Sequence, residues 1–196
     1  MMGTGAEVIR YLVQALGSLY LLIVLLRLLL QLVRADFYNE ISQFVIKATN
    51  PLLRPLRRVI PSMGRIDSAS VVLALLIQLL ATTLMIAVLG FGIPNPLLML
   101  LWGAVGCLSL LVKFFFWGLI AMIVVSWIAP GSRHPALILL FQLLEPVMGP
   151  IRKLLPPMGG LDFSPILMFL LINVIEILIS GLAREIGLPP GLVLGI

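Results

Sequence analysis

The sequence predicts an all-α fold: an integral membrane helical bundle of two parallel tandem repeats, with about four transmembrane helices plus short interfacial helices. Three observations carry this expectation. The chain is 61% hydrophobic and only 11% charged, against about 25% charged in an ordinary soluble domain, so it cannot cover its own surface with polar groups. Its longest apolar runs match the roughly 20 helical residues needed to cross a bilayer. And the second half of the chain repeats the first.

The spans read in order as Tyr11 to Val33, Ala69 to Leu89, Phe114 to Ala129 with the apolar residues before it, and Pro165 to Ala183. A fifth stretch, Leu97 to Val112, contains Gly103 and Gly106 and runs into Lys113. It is expected to be an extension or a surface helix, not a separate span. The first 33 residues carry neither a basic n-region nor a small-residue cleavage site, which predicts a retained helix and not a removed signal peptide.

The repeat is found by setting Asn50 against Glu145, an offset of 95 residues. NPLLRPLRRVIPSMGRID then aligns with EPVMGPIRKLLPPMGGLD without a gap, with seven of the eighteen positions identical. The shared residues are Pro51, Pro55, Arg57, Pro61, Met63, Gly64 and Asp67, then Pro146, Pro150, Arg152, Pro156, Met158, Gly159 and Asp162; Arg58 and Lys153 agree in charge. Residues 1–95 and 96–196 are therefore read as two copies of one unit: helix, basic proline-rich loop, helix.

Within each loop the prolines are expected to fix the path of the chain and Gly64 to permit a tight turn. Asp67 is placed to cap the following helix, and Pro165 fits a helix start. Arg54, Arg57 and Arg58 share a face wherever a helical turn forms. Upstream, Ile41, Phe44, Val45 and Ala48 form an apolar stripe opposite Asn39, Gln43 and Lys47, with Asn39 as a cap. These features predict loops held on anionic lipid, with the motif residues contacting lipid or a partner protein.

Orientation follows from the basic residues. Arg34, Lys47, Arg54, Arg57, Arg58, Arg65, Arg133, Arg152 and Lys153 belong to the motif sides, against Arg10, Lys113 and Arg184 opposite. This imbalance predicts cytoplasmic motif loops in a multi-pass protein of the bacterial inner membrane.

Arg27, Gln78, Asn173 and Glu176 are polar groups inside apolar spans, where they are costly unless partnered. Gln78 and Asn173 occupy the same repeat position, which suggests a pseudo-symmetric hydrogen-bonded pair. Arg27 is expected to reach Glu176 or the membrane surface. The single Cys107 and single His134 exclude an internal disulfide and a Cys/His metal cluster; Cys107 reads as a small apolar residue and His134 as a loop residue. The net charge of +5 sits in loops without interleaved aromatics, which points to lipid and away from nucleic acid. No catalytic residue, cofactor or metal is assigned, and a non-enzymatic role is expected.

The duplicated PLLRPLRRVIP and PVMGPIRKLLPPMGGLD stretches, each followed by an apolar helix, resemble the YggT family of small bacterial membrane proteins, which has chloroplast relatives. The resemblance covers nearly the whole chain. Asn39-Glu40 departs from the family's usual Asn-Pro, whereas His134-Pro135 stays close to it. The resemblance implies a membrane protein without catalytic residues, linked in bacteria with osmotic or extracytoplasmic stress and genes near cell division, and in plastids with cytochrome assembly and nucleoid distribution. Two roles follow as expectations: a membrane adapter or assembly factor working with another membrane protein, or a small ion or solute conductor in osmotic adaptation.

Overall fold

A computed structural model describes residues 4–129, 131–155 and 162–196. These form six helices: α1 (Thr4–Val33), α2 (Glu40–Val59), α3 (Ser68–Leu89), α4 (Pro96–Ile128), α5 (Pro135–Leu154) and α6 (Ser164–Glu185). The offset of 95 residues that aligns the motifs also aligns the helices. It carries α2 onto α5 residue for residue, and the end of α1 onto the end of α4.

Local chemistry sets the boundaries. α1 stops where Arg34 takes a left-handed φ of 55°, and the Ala35 N–H reaches back to the Leu30 carbonyl at 3.0 Å. That is the six-residue closure usually given to glycine. Asn39 caps α2 as expected, accepting from the Ile41 N–H at 2.9 Å. His134, read from sequence as a plain loop residue, does the same for α5, with Nδ1 accepting from the Ala136 N–H at 3.2 Å. Asn95 caps α4 through the Leu97 N–H.

α4 is one continuous helix of 33 residues, about 50 Å long at 1.5 Å per residue. The Leu97–Val112 stretch is thus the first half of the third span and not a surface helix. Gly103 and Gly106 do not break it; they let neighbours approach its backbone, as shown below.

Pro51 and Pro55 lie inside α2, and Pro146 and Pro150 inside α5. This corrects the expectation of a proline-stiffened loop. The helix survives because the prolines are four residues apart, so the carbonyls they leave unpaired fall on one stripe with Lys47, Pro51 and Pro55, all exposed. Water or head groups can satisfy those carbonyls there. The buried face of α2 is Ser42, Val45, Thr49 and Leu53. Of the expected apolar stripe only Val45 is buried; Ile41 and Phe44 face outward.

Among the described residues, five helices are long and apolar enough to cross a membrane: α1, α3, α4, α5 and α6. The four expected spans are among them, and α5 is the least apolar of the five. α1, α2 and α3 pack together, as do α4, α5 and α6. The halves meet along α1, α3 and α4 and where α2 touches α5. At that second contact the Asn39 side chain donates to the Pro135 carbonyl at 2.7 Å.

The seam between the halves is closed by an element not foreseen from the sequence. After α6 the chain turns at Gly187 (φ 64°) and re-enters the bundle, so Leu188, Leu192, Val193 and Leu194 are all buried. Non-helical backbone at membrane depth is tolerated only where protein supplies its hydrogen bonds, and here it does. Gln14 donates to the Gly191 carbonyl (2.7 Å), and Ser109 and Lys113 both donate to the Gly195 carbonyl (2.8 Å each). Gln78 holds Leu194 through two bonds, donating to its carbonyl (2.8 Å) and accepting from its N–H (3.1 Å).

Candidate functional site

The duplicated motif builds the same constellation twice, near the helix ends that carry the basic residues. In the first repeat Arg57 stands in the last turn of α2. Ile60 ends the helix, and the chain reverses through Gly64 (φ 61°) within a paired turn in which Met63 and Ile66 exchange backbone hydrogen bonds at 3.1 and 3.0 Å. That reversal returns the chain at Asp67, beside Arg57, and the two side chains form an ion pair.

Asp67 is 1% exposed. Its carboxylate accepts from Arg57 and from the Ser70 hydroxyl at 2.6 Å. The expected N-cap bond to backbone is absent, although Asp67 occupies the cap position of α3. Burial alone would raise its pKa, but the hydrogen bonds from Arg57 and Ser70 and the charge of Arg57 outweigh burial. The carboxyl is held below the usual carboxylate value, with a smaller contribution from the charge of Arg27.

Arg27 is the third charge of this cluster. It is buried on α1, with its guanidinium carbon 6.0 Å from the centre of the Phe37 ring, within reach of a cation–π contact. Nε and Nη1 are buried without a hydrogen-bond partner. Arg27 does not pair with Glu176, which corrects the sequence expectation: it lies instead beside Phe37 and within the field of Asp67.

In the second repeat Arg152 and Asp162 occupy the positions of Arg57 and Asp67, and the pair is looser. Arg152 donates to Glu145 at 2.7 Å and lies 3.5 Å from Asp162. Asp162 accepts from the Ser164 N–H at 2.9 Å, a bond at the start of α6, although Phe163 holds the cap position. Hydrogen bonding from Ser164, more than the charge of Arg152, keeps the Asp162 carboxyl below its usual value. Its side chain is 40% exposed. A cavity of about 500 Å³ opens beside the pair, bordered by Met122, Ser126, Trp127, Phe141, Arg152 and Asp162 among others.

The remaining motif residues do not converge. Arg54, Arg58 and Lys153 are exposed, and Pro61 follows α2 in the turn. Pro156 and Gly159 lie outside the described residues. Of the intramembrane polar groups, Gln78 holds Leu194, while Asn173 turns back on its own helix to the Phe169 carbonyl (2.7 Å). The expected Gln78–Asn173 pair is therefore replaced by two unrelated contacts. Glu176 borders a cavity of about 190 Å³ with Ser109, Lys113, Ser180 and Ile196.

Sequence reasoning missed Ser70 as a ligand to Asp67, Glu145 as a competitor for Arg152, and the whole re-entrant segment. Glu145 was legible in the alignment, where it replaces Asn50. Gln14, Ser109 and Lys113 showed only as polar residues in apolar helices.

Two copies of one three-helix unit, rich in membrane-length apolar helices, define a multi-pass helical membrane protein with a tandem repeat. The chain belongs to the CCB3/YggT family, whose model matches it twice, over residues 6–88 and 101–183. It is 52% identical over 181 residues to an uncharacterised protein of Pseudomonas aeruginosa, covering 91% of this chain and 92% of the relative. It is 40% identical over 186 residues to the uncharacterised protein YggT of Escherichia coli K12, covering 93% and 95%. A Haemophilus influenzae protein is 35% identical over 156 residues, covering 79% and 82%. No solved structure matches the chain.

Proposed function

We propose that this protein is a non-enzymatic membrane adapter or assembly factor, of the kind that serves a stress response. In this reading α1, α3, α4 and α6 span the bacterial inner membrane, and α2 and α5 lie along its cytoplasmic surface. The observation that carries it is the placement of the exposed cations on the two motif helices, of which Arg58 and Lys153 correspond between the repeats. Arg54 and Arg58 on α2 and Lys153 on α5 are exposed and take part in none of the ion pairs among the described residues. They are available to anionic lipid head groups and to another membrane protein. The excess of basic residues on this side supports its cytoplasmic placement.

The test is charge reversal of Arg54, Arg58 and Lys153 together. Arg57 and Arg152 are spared because both are already engaged in ion pairs within the chain. Partner co-purification from crosslinked membranes is expected to be lost while insertion and thermal stability stay as in the parent. Undiminished co-purification contradicts the adapter role.

A second reading, conduction of an ion or small solute in osmotic adaptation, is favoured by the cavity beside Lys113, Glu176, Ser109 and Ser180. Against it, residues 187–196 fill the seam between the repeats. Flux through reconstituted protein that changes with Glu176→Gln supports conduction; silent liposomes oppose it.

A further inference from the structure

We propose that the cleft beside Arg152 and Asp162 is a docking site for a basic side chain carried on an apolar helix of a different membrane protein. The inference rests on the adapter reading and names the chemistry of one contact it requires.

The first repeat supplies the template. Shifted by 95 residues, Met122, Arg152 and Asp162, which border the cleft, become Arg27, Arg57 and Asp67. At those positions a cation from an apolar helix is already in place: Arg27 is 7% exposed on α1 and Asp67 is 1% exposed. The second repeat keeps the arginine and the aspartate but has methionine where the helix-borne arginine stands. It also has Glu145 in place of Asn50, and Glu145 draws Arg152 away at 2.7 Å, leaving Asp162 at 3.5 Å.

The charges follow from that exchange. Arg27, Arg57 and Asp67 sum to +1; Arg152, Glu145 and Asp162 sum to −1, in a chain whose net charge is +5. The open site therefore lacks one cation relative to the closed one and carries an excess negative charge. Apart from Ser126 its other walls, Phe141 and Ile166 among them, are apolar, as the stem of an arginine or the flank of a helix requires. A guanidinium entering from a partner helix would meet the Asp162 carboxylate as its acceptor while Glu145 holds Arg152, with the complementary charge that fixes partner choice and register.

The test uses the full chain in phosphatidylcholine nanodiscs and two synthetic apolar helices. One carries a single arginine six residues from its end, as Arg27 stands from the end of α1; the other has glutamine there. The arginine peptide is expected to bind about tenfold more tightly, a difference of about 1.4 kcal/mol. That advantage should vanish in Asp162→Asn, a change at an exposed position, and in Met122→Arg, which gives the second repeat the arginine of the first. Equal binding of the two peptides overturns the proposal, as does an advantage that persists in Asp162→Asn. Displacement of the arginine peptide by phosphatidylethanolamine in the disc also overturns it, in favour of a lipid ammonium ligand. The peptides need no cellular partner, so failure here is separable from failure of the co-purification test.

Discussion

Gln78 and Leu194 are 116 residues apart in the chain and hold each other by two hydrogen bonds, the Gln78 carboxamide serving as donor to the Leu194 carbonyl and acceptor from its N–H. One fully buried side chain thereby satisfies both backbone groups of a residue that no helix or sheet could satisfy. It makes a re-entrant segment compatible with an apolar interior.

Gln78→Leu should accordingly leave both groups buried and unpaired, at a cost of about 2–3 kcal/mol. Thermal unfolding in detergent reads the loss directly. A cysteine at Leu194, placed in a Cys107→Ser background, should become reactive to a maleimide only when Gln78 is also replaced. Unchanged stability and protection would show that the segment is held by apolar contacts alone.

A second prediction concerns how closely α4 approaches the segment. A Cβ at Gly106 would stand 2.4 Å from the Gln78 amide nitrogen and 2.7 Å from the Leu194 carbonyl oxygen, whereas one at Gly181 would meet nothing within 4 Å. Alanine ordinarily favours a helix by about 1 kcal/mol over glycine. Gly181→Ala should be neutral or slightly stabilising, while Gly106→Ala should destabilise by more than 1 kcal/mol, measured by the same unfolding assay.

These two residues also show where the sequence was legible. The spans, the repeat and the cap at Asn39 could be read because each is a local pattern: an apolar run, a fixed offset, a polar residue before a helix. Gly106 and Gln78 were visible but their meaning was not. A glycine in an apolar helix can mark a flaw or a close approach, and only the partner distinguishes them. The partner here is a segment 116 residues from Gln78 whose sequence, GLVLGI, carries no periodicity. Pro51 and Pro55 misled for a different reason: single-residue preference disfavours helix, but the four-residue spacing places both defects on one exposed stripe. Arg57 and Asp67 were singled out from the repeat, yet their pairing with each other came from the turn at Gly64 and not from any helical spacing.

The two homologous ion pairs should differ in energy. Arg57→Ala strands a buried carboxylate, which costs about 2 kcal/mol, the low side for breaking a buried pair because the Arg57 side chain is itself 35% exposed. Arg152→Ala releases two acceptors that reach solvent and should cost under about 1 kcal/mol. Chemical or thermal unfolding of the two single variants side by side tests the difference. Equal losses would mean that the pairs are equally buried in the membrane.

The same asymmetry fixes a pH dependence. Asp67 is held below its ordinary value of 3.8 by Arg57 and Ser70, so its contribution is fully present above that value and declines as the pH falls through it toward the folded pKa. Asp162 shifts in the same direction but is present in both proteins of the comparison and cancels. Asp67→Asn should thus be less stable than the parent at pH 7, with Arg27 and Arg57 left facing an uncharged group. The two stability curves should begin to converge as the pH falls through about 4, where the unfolded carboxyl takes up its proton, and meet only once the folded carboxyl, held lower, is protonated too. Curves that remain parallel down to pH 3 would show that the negative charge of Asp67 contributes nothing, and that its hydrogen bonds alone hold the turn against α3.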